Sequence, residues 1–139
     1  MKRVYLIVAF AIFAISGAMA QVSIEKPYAT GADISWLQSQ EDRGTEFSDG
    51  GIKGDALEIL RDNGFNYIRL RLFVDPRSEL GYSRREGYCA LEHTLQMAHR
   101  IKQAGMMFLL DFHYSDNWAD PQKQIMPQAW QTYSYMEVQ

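Results

Sequence analysis

The sequence predicts an α/β fold in which parallel strands alternate with helices. Three segments have the composition of strands, and each of the two helical segments ends at a glycine that leads into an apolar strand. Alternation of this kind implies parallel strands with right-handed crossovers, either in a (β/α)8 barrel or in an open doubly wound sheet. Because no Gly-x-Gly-x-x-Gly pattern leads from the first strand into a helix, a dinucleotide site loses support and the barrel gains it.

Residues 1–20 are typical of a secretory signal peptide. The basic pair Lys2-Arg3 precedes an apolar run of about a dozen residues, Val4–Ile15, and small residues close the segment at Ala18 to Ala20. A helix needs roughly 20 apolar residues to span a bilayer, so this run is too short for a retained anchor. We therefore expect export to the periplasm or the extracellular space, with no stable membrane insertion after the signal is removed.

The first strand and the first helix of the mature chain follow from alternation and capping signals. Ala32–Trp36 alternates apolar and polar residues and predicts a short strand, and the polar stretch Gln38–Gly51 predicts a loop. Asp55 with Glu58 three residues later resembles a capping box and predicts the start of a helix. Asn63-Gly64 predicts its end, since glycine tolerates the left-handed conformation that closes helices.

The second half of the chain repeats this order. Phe65–Val74 predicts a strand by its composition and its period of two. Met106–Phe112 predicts a third strand, apolar enough to be buried on both faces of a parallel sheet. Between them, residues 91–104 predict a helix that ends at a glycine, with an apolar face formed by Leu91, Leu95, Ala98 and Ile101.

Composition excludes several classes of function. The net charge is −3 with acidic and basic residues interspersed, so the chain lacks the basic stripe of a nucleic-acid-binding protein. Cys89 is the single cysteine, so no disulfide can close within the chain. Eight Tyr, seven Phe and three Trp offer flat apolar faces with polar edges, on which sugar rings stack, although aromatic residues more often fill cores.

Polar side chains follow each predicted strand, where the active sites of α/β barrels lie. Arg69 and Arg71 share the face that would point into a barrel, and a buried guanidinium there needs carboxylate partners. Two interpretations stay open for them: they position a catalytic carboxylate, or they form a structural ion pair with Asp33 or Asp111. The candidate site residues are Asp33, Arg69, Arg71, His113, Asp116 and Trp118, and Ser35 and Asp111 lie beside them in the sequence.

His113 and Trp118 also allow two interpretations each. His113 either contacts a sugar hydroxyl or a catalytic group, or is hydrogen-bonded within the sheet. Trp118 either forms a stacking platform or packs under its loop. A metal at Asp111, His113 and Asp116 loses support because a catalytic metal site usually has more than one nitrogen or sulfur ligand, and the other two histidines belong to the second helix or adjoin it. We expect neither a metal nor a cofactor.

The segment Asp111–Pro121, which reads Asp-Phe-His-Tyr-Ser-Asp-Asn-Trp-Ala-Asp-Pro, resembles the third-strand signature of glycoside hydrolase family 53, the endo-β-1,4-galactanases. Gly31–Ser35 and Asn66–Pro76 are similar to the first and second strands of that family, and the resemblance extends over about residues 28 to 130. It implies a clan A (β/α)8 TIM barrel. It also implies internal hydrolysis of β-1,4-galactan in type I arabinogalactan, with retention of configuration.

The same resemblance implies two catalytic glutamates: an acid/base in an Asn-Glu pair after the fourth strand, and a nucleophile at the end of the seventh. The sequence contains no Asn-Glu pair, so we expect both beyond Gln139. Residues 21–139 are then the N-terminal three β/α units of an incomplete barrel. The six candidates become active-site lining, in which Arg69 holds the nucleophile's carboxylate and His113 borders the subsite nearest cleavage. In the missing part a loop could bind calcium, as in some relatives.

Two alternatives stay open. The first is another endo-glycanase of the same clan, such as a β-mannanase. The second is a non-catalytic exported module that binds galactan through Trp36, Trp118 and Trp130. A binding module would account for the absent glutamates, but it needs neither parallel α/β units nor paired inward arginines.

Overall fold

The structure is a computed structural model that describes residues 28–133 of the chain. The predicted signal peptide, residues 1–20, lies outside the described residues. In chain order the elements are β1 (Gly31–Asp33), α1 (Leu37–Asp42), β2 (Phe47–Asp49), β3 (Ile52–Gly54), α2 (Ala56–Asp62), β4 (Tyr67–Leu72), α3 (Leu91–Gln103) and β5 (Met107–Phe112), followed by a short 3-10 helix at Gln128–Trp130.

The central sheet has three parallel strands in the order β1-β4-β5, so its spatial order follows the chain order. Helices α2 and α3 make the two crossovers, as the sequence predicts. The register places Asp33 opposite Arg69, and Arg71 opposite Asp111. Within residues 28–133, β5 pairs with β4 alone and the sheet is not closed. None of the helices in this range is both long enough and apolar enough to cross a membrane.

Helix α2 begins and ends where its capping residues require. The carboxylate of Asp55 accepts hydrogen bonds from the backbone N–H groups of Leu57 at 2.8 Å and Glu58 at 3.3 Å, which satisfies two donors that the first turn leaves free. Such a cap stabilises a helix by about 1 kcal/mol. Gly64, with φ of +89°, turns the chain out of the helix in a conformation that a side chain would strain.

The core lies between the sheet and helices α2 and α3. Alternate residues of β4 point into it, because successive side chains of a strand face opposite sides. Burial of this apolar surface is the main favourable contribution to folding. The buried members of the core are Ile34, Leu37, Ala56, Leu57, Ile68, Leu70, Met97, Ile101 and Met106.

The predicted loop Gln38–Gly51 is instead the short helix α1 and a β2-β3 hairpin. Helix α1 escapes prediction because it has only six residues and buries Leu37 and Ser39 alone, so its pattern shows no apolar face. The hairpin could have been predicted from the two consecutive glycines of its turn. Gly50 and Gly51 both have positive φ, as the favoured two-residue hairpin turns require.

Helix α3 has the predicted position but a different buried face. Thr94, Met97 and Ile101 are buried, whereas Leu91 and Leu95 are 59% and 51% exposed. The face is fixed by β4 below it, where the Thr94 hydroxyl donates to the Arg71 carbonyl at 3.4 Å. Tertiary packing therefore overrides the choice of leucines as the apolar face.

The prediction that Met106–Phe112 is buried on both faces is wrong for the described part of the chain. Met106 is buried. Met107 and Leu109, on the inner face of β5 that points away from the helices, are 51% and 54% exposed. The apolar composition indicated a strand covered on both sides, but among residues 28–133 Phe108 and Phe112, on the helix-facing side of β5, are also 38% and 55% exposed.

Candidate active site

Five side chains meet on the inner face of the sheet, near the carboxyl ends of its strands. We call Asp33, Arg69, Arg71, Asp111 and His113 the strand-end cluster. In parallel strands residues at the same level lie side by side, and the register pairs an arginine of β4 with an aspartate on each neighbouring strand. The carboxyl ends of strands are where barrel enzymes assemble their sites.

The two arginines are held by the two aspartates. Arg69 donates from Nη1 to Asp33 at 2.7 Å and from Nη2 to Asp111, so it bridges β1 and β5. Arg71 donates from Nε and Nη2 to the two oxygens of Asp33, both at 3.1 Å. The structural ion pairs that the sequence left open are therefore present, and Asp33 receives both guanidinium groups.

Ser35 completes the surroundings of Asp33. Its backbone N–H and its hydroxyl donate to Asp33 Oδ1 at 3.0 and 2.7 Å, and its Oγ accepts the backbone N–H of Arg71 at 2.8 Å. Burial opposes ionisation of Asp33, but hydrogen bonds from Arg71 and Ser35 outweigh it and hold the pKa below its ordinary value. Asp33 is therefore ionised near neutral pH and cannot serve as a general acid.

His113 is oriented by a carboxylate. Its Nε2 lies 2.9 Å from Asp111 Oδ2, and its ring is packed edge-on against Phe73 with centroids 5.0 Å apart. An ionised carboxylate only accepts hydrogen bonds, so Nε2 carries a proton and the neutral ring has Nδ1 as its acceptor. Asp111 thus holds the ring in position and favours the tautomer with the proton on Nε2.

Trp118 covers Arg71. The guanidinium carbon lies 4.0 Å from the centroid of the indole, a cation–π contact. The Arg71 side chain is only 6% exposed, and its Nη1 has no hydrogen-bond partner among the described residues. The indole is half-exposed, so one face packs on the arginine while the rest of the ring stays accessible.

A cleft of about 620 Å³ opens beside the cluster. Arg69, Asp111 and His113 supply charged and polar groups, and the aromatic rings of Phe112, Tyr114 and Trp130 line it together with aliphatic and other polar residues. We call this cavity the strand-end cleft. A few charged groups among aromatic surfaces are what a site for a polar, ring-shaped ligand requires.

Asp116 lies apart from the cluster and fastens loops. It is buried, with Oδ1 accepting the N–H of Asp75 at 3.0 Å and Oδ2 accepting the N–H of Gln128 at 2.9 Å. Its backbone carbonyl also accepts the N–H of Tyr82. These hydrogen bonds indicate a structural role for Asp116. Its contact with a ligand stays a prediction.

The structure brings Asp33, Arg69, Arg71 and His113 together under Trp118. It adds Asp111 as the bridge between Arg69 and His113, a role that the spacing of polar residues at strand ends signalled but did not assign. Among residues 28–133 no three Cys, His, Asp or Glu side chains are grouped so as to hold a metal ion. Burial raises the pKa of the Cys89 thiol to about 11, so this thiol is not a reactive nucleophile.

Parallel β/α units with charged and aromatic groups at their strand ends define the class of α/β-barrel enzymes. The family model described as Glycosyl hydrolase family 53 matches residues 29–139. The chain belongs to glycosyl hydrolase family 53.

Named relatives support this assignment. The chain is 46% identical over 103 residues to the probable arabinogalactan endo-β-1,4-galactanase A of Aspergillus terreus, covering 73% of this chain and 27% of that protein. It is 35% identical over 125 residues to the arabinogalactan endo-β-1,4-galactanase of Cellvibrio japonicus, covering 90% of this chain and 31% of that protein.

A solved structure confirms the fold class. The structure described as the Ignisphaera aggregans GH53 catalytic domain superposes with a TM-score of 0.72 at 41% identity, covering 80% of this chain and 31% of that one. The predicted units of a TIM barrel are therefore present over part of its length. The chain spans less than a third of each of these three proteins.

Proposed function

We propose that the chain is the N-terminal part of an exported endo-β-1,4-galactanase that hydrolyses β-1,4-galactosidic linkages in type I arabinogalactan. Family membership and the printed names of the relatives support the substrate. The observation that carries the proposal is the strand-end cluster beside an aromatic cleft of about 620 Å³, at the end of the sheet where barrel enzymes bind substrates.

The proposed mechanism is retaining and needs two carboxyl groups about 5–5.5 Å apart across the scissile bond. In the described residues the two carboxylates of the cluster, Asp33 and Asp111, already accept hydrogen bonds from arginines. We place both catalytic glutamates in residues beyond Gln139. The chain described here contributes binding and orientation.

The roles of the arginines differ in geometry. The resemblance assigned the nucleophile's carboxylate to Arg69, whose two terminal nitrogens donate to Asp33 and Asp111. Arg71 is nearly buried beneath Trp118, whereas the Arg69 side chain is 43% exposed and lines the strand-end cleft, so Arg69 is the guanidinium that a further carboxylate can reach. His113 presents Nδ1 as an acceptor for a sugar hydroxyl, and Trp118 presents its accessible indole surface.

Export is part of the proposal. It is supported by the order of basic, apolar and small residues in 1–20. A polymeric substrate such as arabinogalactan also has to be attacked outside the cytoplasm, so the periplasm or the extracellular space is the compartment that we propose.

A binding module is the second candidate. It is favoured by one observation: both carboxylates of the cluster, Asp33 and Asp111, are paired with arginines. In that case residues 21–139 bind galactan without cleaving it.

The test begins with the coding DNA past the codon for Gln139, and then uses the protein made from the complete reading frame. We expect an Asn-Glu pair and a second strand-end glutamate, cleavage of linear β-1,4-galactan at internal positions, and the β-anomer as the first product in proton NMR. Activity on mannan but not galactan would support the β-mannanase alternative. Galactan binding without any hydrolysis would support the binding module.

A further inference from the structure

We propose that a second cavity binds one neutral sugar ring of the same polysaccharide. The cavity has a volume of about 260 Å³ and lies between residues 78–80 of the β4-α3 loop and residues 115–131 after β5. We call it the loop cavity. The identity of its ligand rests on the proposed galactanase function.

The lining of the loop cavity is suited to a sugar. Leu80, Met126 and the indole of Trp118 provide apolar surface, and Asn117 and Lys123 add an amide and a charged group. Sugar rings have apolar faces and polar edges, so they fit a cavity with an aromatic wall and a polar rim.

The polar groups favour a neutral ligand. Glu79, Asp116 and Lys123 line the same cavity, so charges of both signs meet there. Both oxygens of Asp116 already accept backbone N–H groups, so neither a polyanion nor a cation is favoured.

The loop cavity adjoins the strand-end cleft. Ser115, Ile125 and Met126 line both cavities, so a single loop forms the wall between them. Trp118 lines the loop cavity and covers Arg71 of the strand-end cluster, so the loop cavity also adjoins the cluster. One polysaccharide chain can therefore occupy the cleft while a neighbouring ring enters the loop cavity.

Two parts of arabinogalactan share the required chemistry: a galactosyl unit of the main chain and an arabinosyl branch. Methyl β-galactopyranoside and methyl α-arabinofuranoside are the matching probes. Saturation-transfer NMR on the complete protein detects binding of each probe whether or not hydrolysis occurs. The probe that binds identifies the source.

The variants separate the loop cavity from the cleft. Leu80→Trp fills the cavity from an exposed position, and Lys123→Ala removes a polar group from its rim. Leu95→Trp and Lys102→Ala, both on exposed positions of α3, are the matched controls. Tyr114→Ala alters the cleft without touching the loop cavity, because Tyr114 lines only the cleft and its ring packs against Phe112 and Trp130.

With binding in the cleft impaired by Tyr114→Ala, we expect Leu80→Trp to abolish binding of one probe and Lys123→Ala to weaken it several-fold, with both controls leaving that binding unchanged. In the active enzyme, without Tyr114→Ala, Leu80→Trp should raise KM for arabinogalactan and leave kcat unchanged. Probe binding that survives Leu80→Trp in the Tyr114→Ala background, or no probe binding in a protein that cleaves galactan, overturns the loop cavity and spares the proposed function. Probe binding that is lost in Leu80→Trp, in a protein that does not hydrolyse galactan, supports the loop cavity and overturns the proposed function.

Discussion

The two faces of β4 belong to one strand and differ in almost every physical property. Ile68 and Leu70 point toward the helices and are buried in an apolar core. Arg69 and Arg71, each one residue further on, point to the inner face and are held by aspartates of the neighbouring strands. Apolar burial is non-directional, whereas each charge depends on a particular partner. The strand thus keeps its candidate site on the face that the core does not use.

Removal of Asp33 should have the largest effect on stability. Asp33→Ala leaves Arg71 buried without its carboxylate, which costs about 3–5 kcal/mol when one partner of a buried ion pair is removed. Denaturant unfolding of the complete protein measures this. The control is Asp62→Ala, whose solvent-exposed pair with Arg61 should contribute little to stability. A similar small loss in both variants would mean that the inner face does not depend on pairing.

Truncation on the opposite face should cost slightly less. Ile68→Ala removes a fully buried side chain from the core, and such changes cost about 2–5 kcal/mol through lost burial and the cavity left behind. The effect should be independent of pH and salt, in contrast to that of Asp33→Ala. Leu95→Ala on the exposed side of α3 is the control and should change stability by less than about 0.5 kcal/mol. Equal losses at Ile68 and Leu95 would contradict the assignment of the core.

The parts of the fold that the sequence predicted are those whose local signals agree with the tertiary structure. The Asp55 cap, the Gly64 stop and the alternation of β4 each have a local physical cause, and all three are confirmed. The strand beneath α3 sets its buried face, so the prediction that Leu91 and Leu95 belong to that face is wrong. The inner face of β5 depends on what covers it, which its own residues do not encode.

The candidate site divides in the same way. Residue spacing placed Asp33, Arg69, Arg71 and His113 at strand ends, and parallel register brings them together. Asp116 has the same spacing signal, but the loop after β5 folds back and directs its carboxylate to backbone donors. Loop paths depend on many weak contacts that no period in the sequence reports. The contacts of Trp118 could not be predicted from the sequence for the same reason.

Acid should weaken the inner face selectively. The pKa of Asp33 is lowered in the folded state, so the stability that its ionised form contributes is complete above the unfolded value of about 3.9. That contribution is lost as the pH falls through the lower folded pKa. Unfolding measured from pH 6 to pH 2 should therefore show a decline that is shallower in Asp33→Asn. An identical decline in Asp33→Asn would assign the acid sensitivity to other carboxylates.

Amide exchange should show the smallest effect, because it detects the open edge of the sheet without perturbing it. The N–H group of Met107 donates to the carbonyl of Asn66, which directly precedes β4, and that of His113 donates to Leu72 in β4. By the period of two along a strand, those of Phe108, Leu110 and Phe112 point to the other edge. In residues 21–139 alone we expect fast exchange at these three positions and slower exchange at Met107 and His113.

In the complete protein the same three amides should become protected, because the proposed barrel pairs β5 with a further strand. Protection in the short chain would mean that a second copy or another segment already covers this edge. Uniformly fast exchange in the short chain would instead show that apolar packing on the helix-facing side cannot hold the sheet without additional strands. Slow exchange at Met107 and His113 in the short chain would show that the pairing of β4 with β5 does not depend on closure of the barrel. Uniformly fast exchange would show that it does.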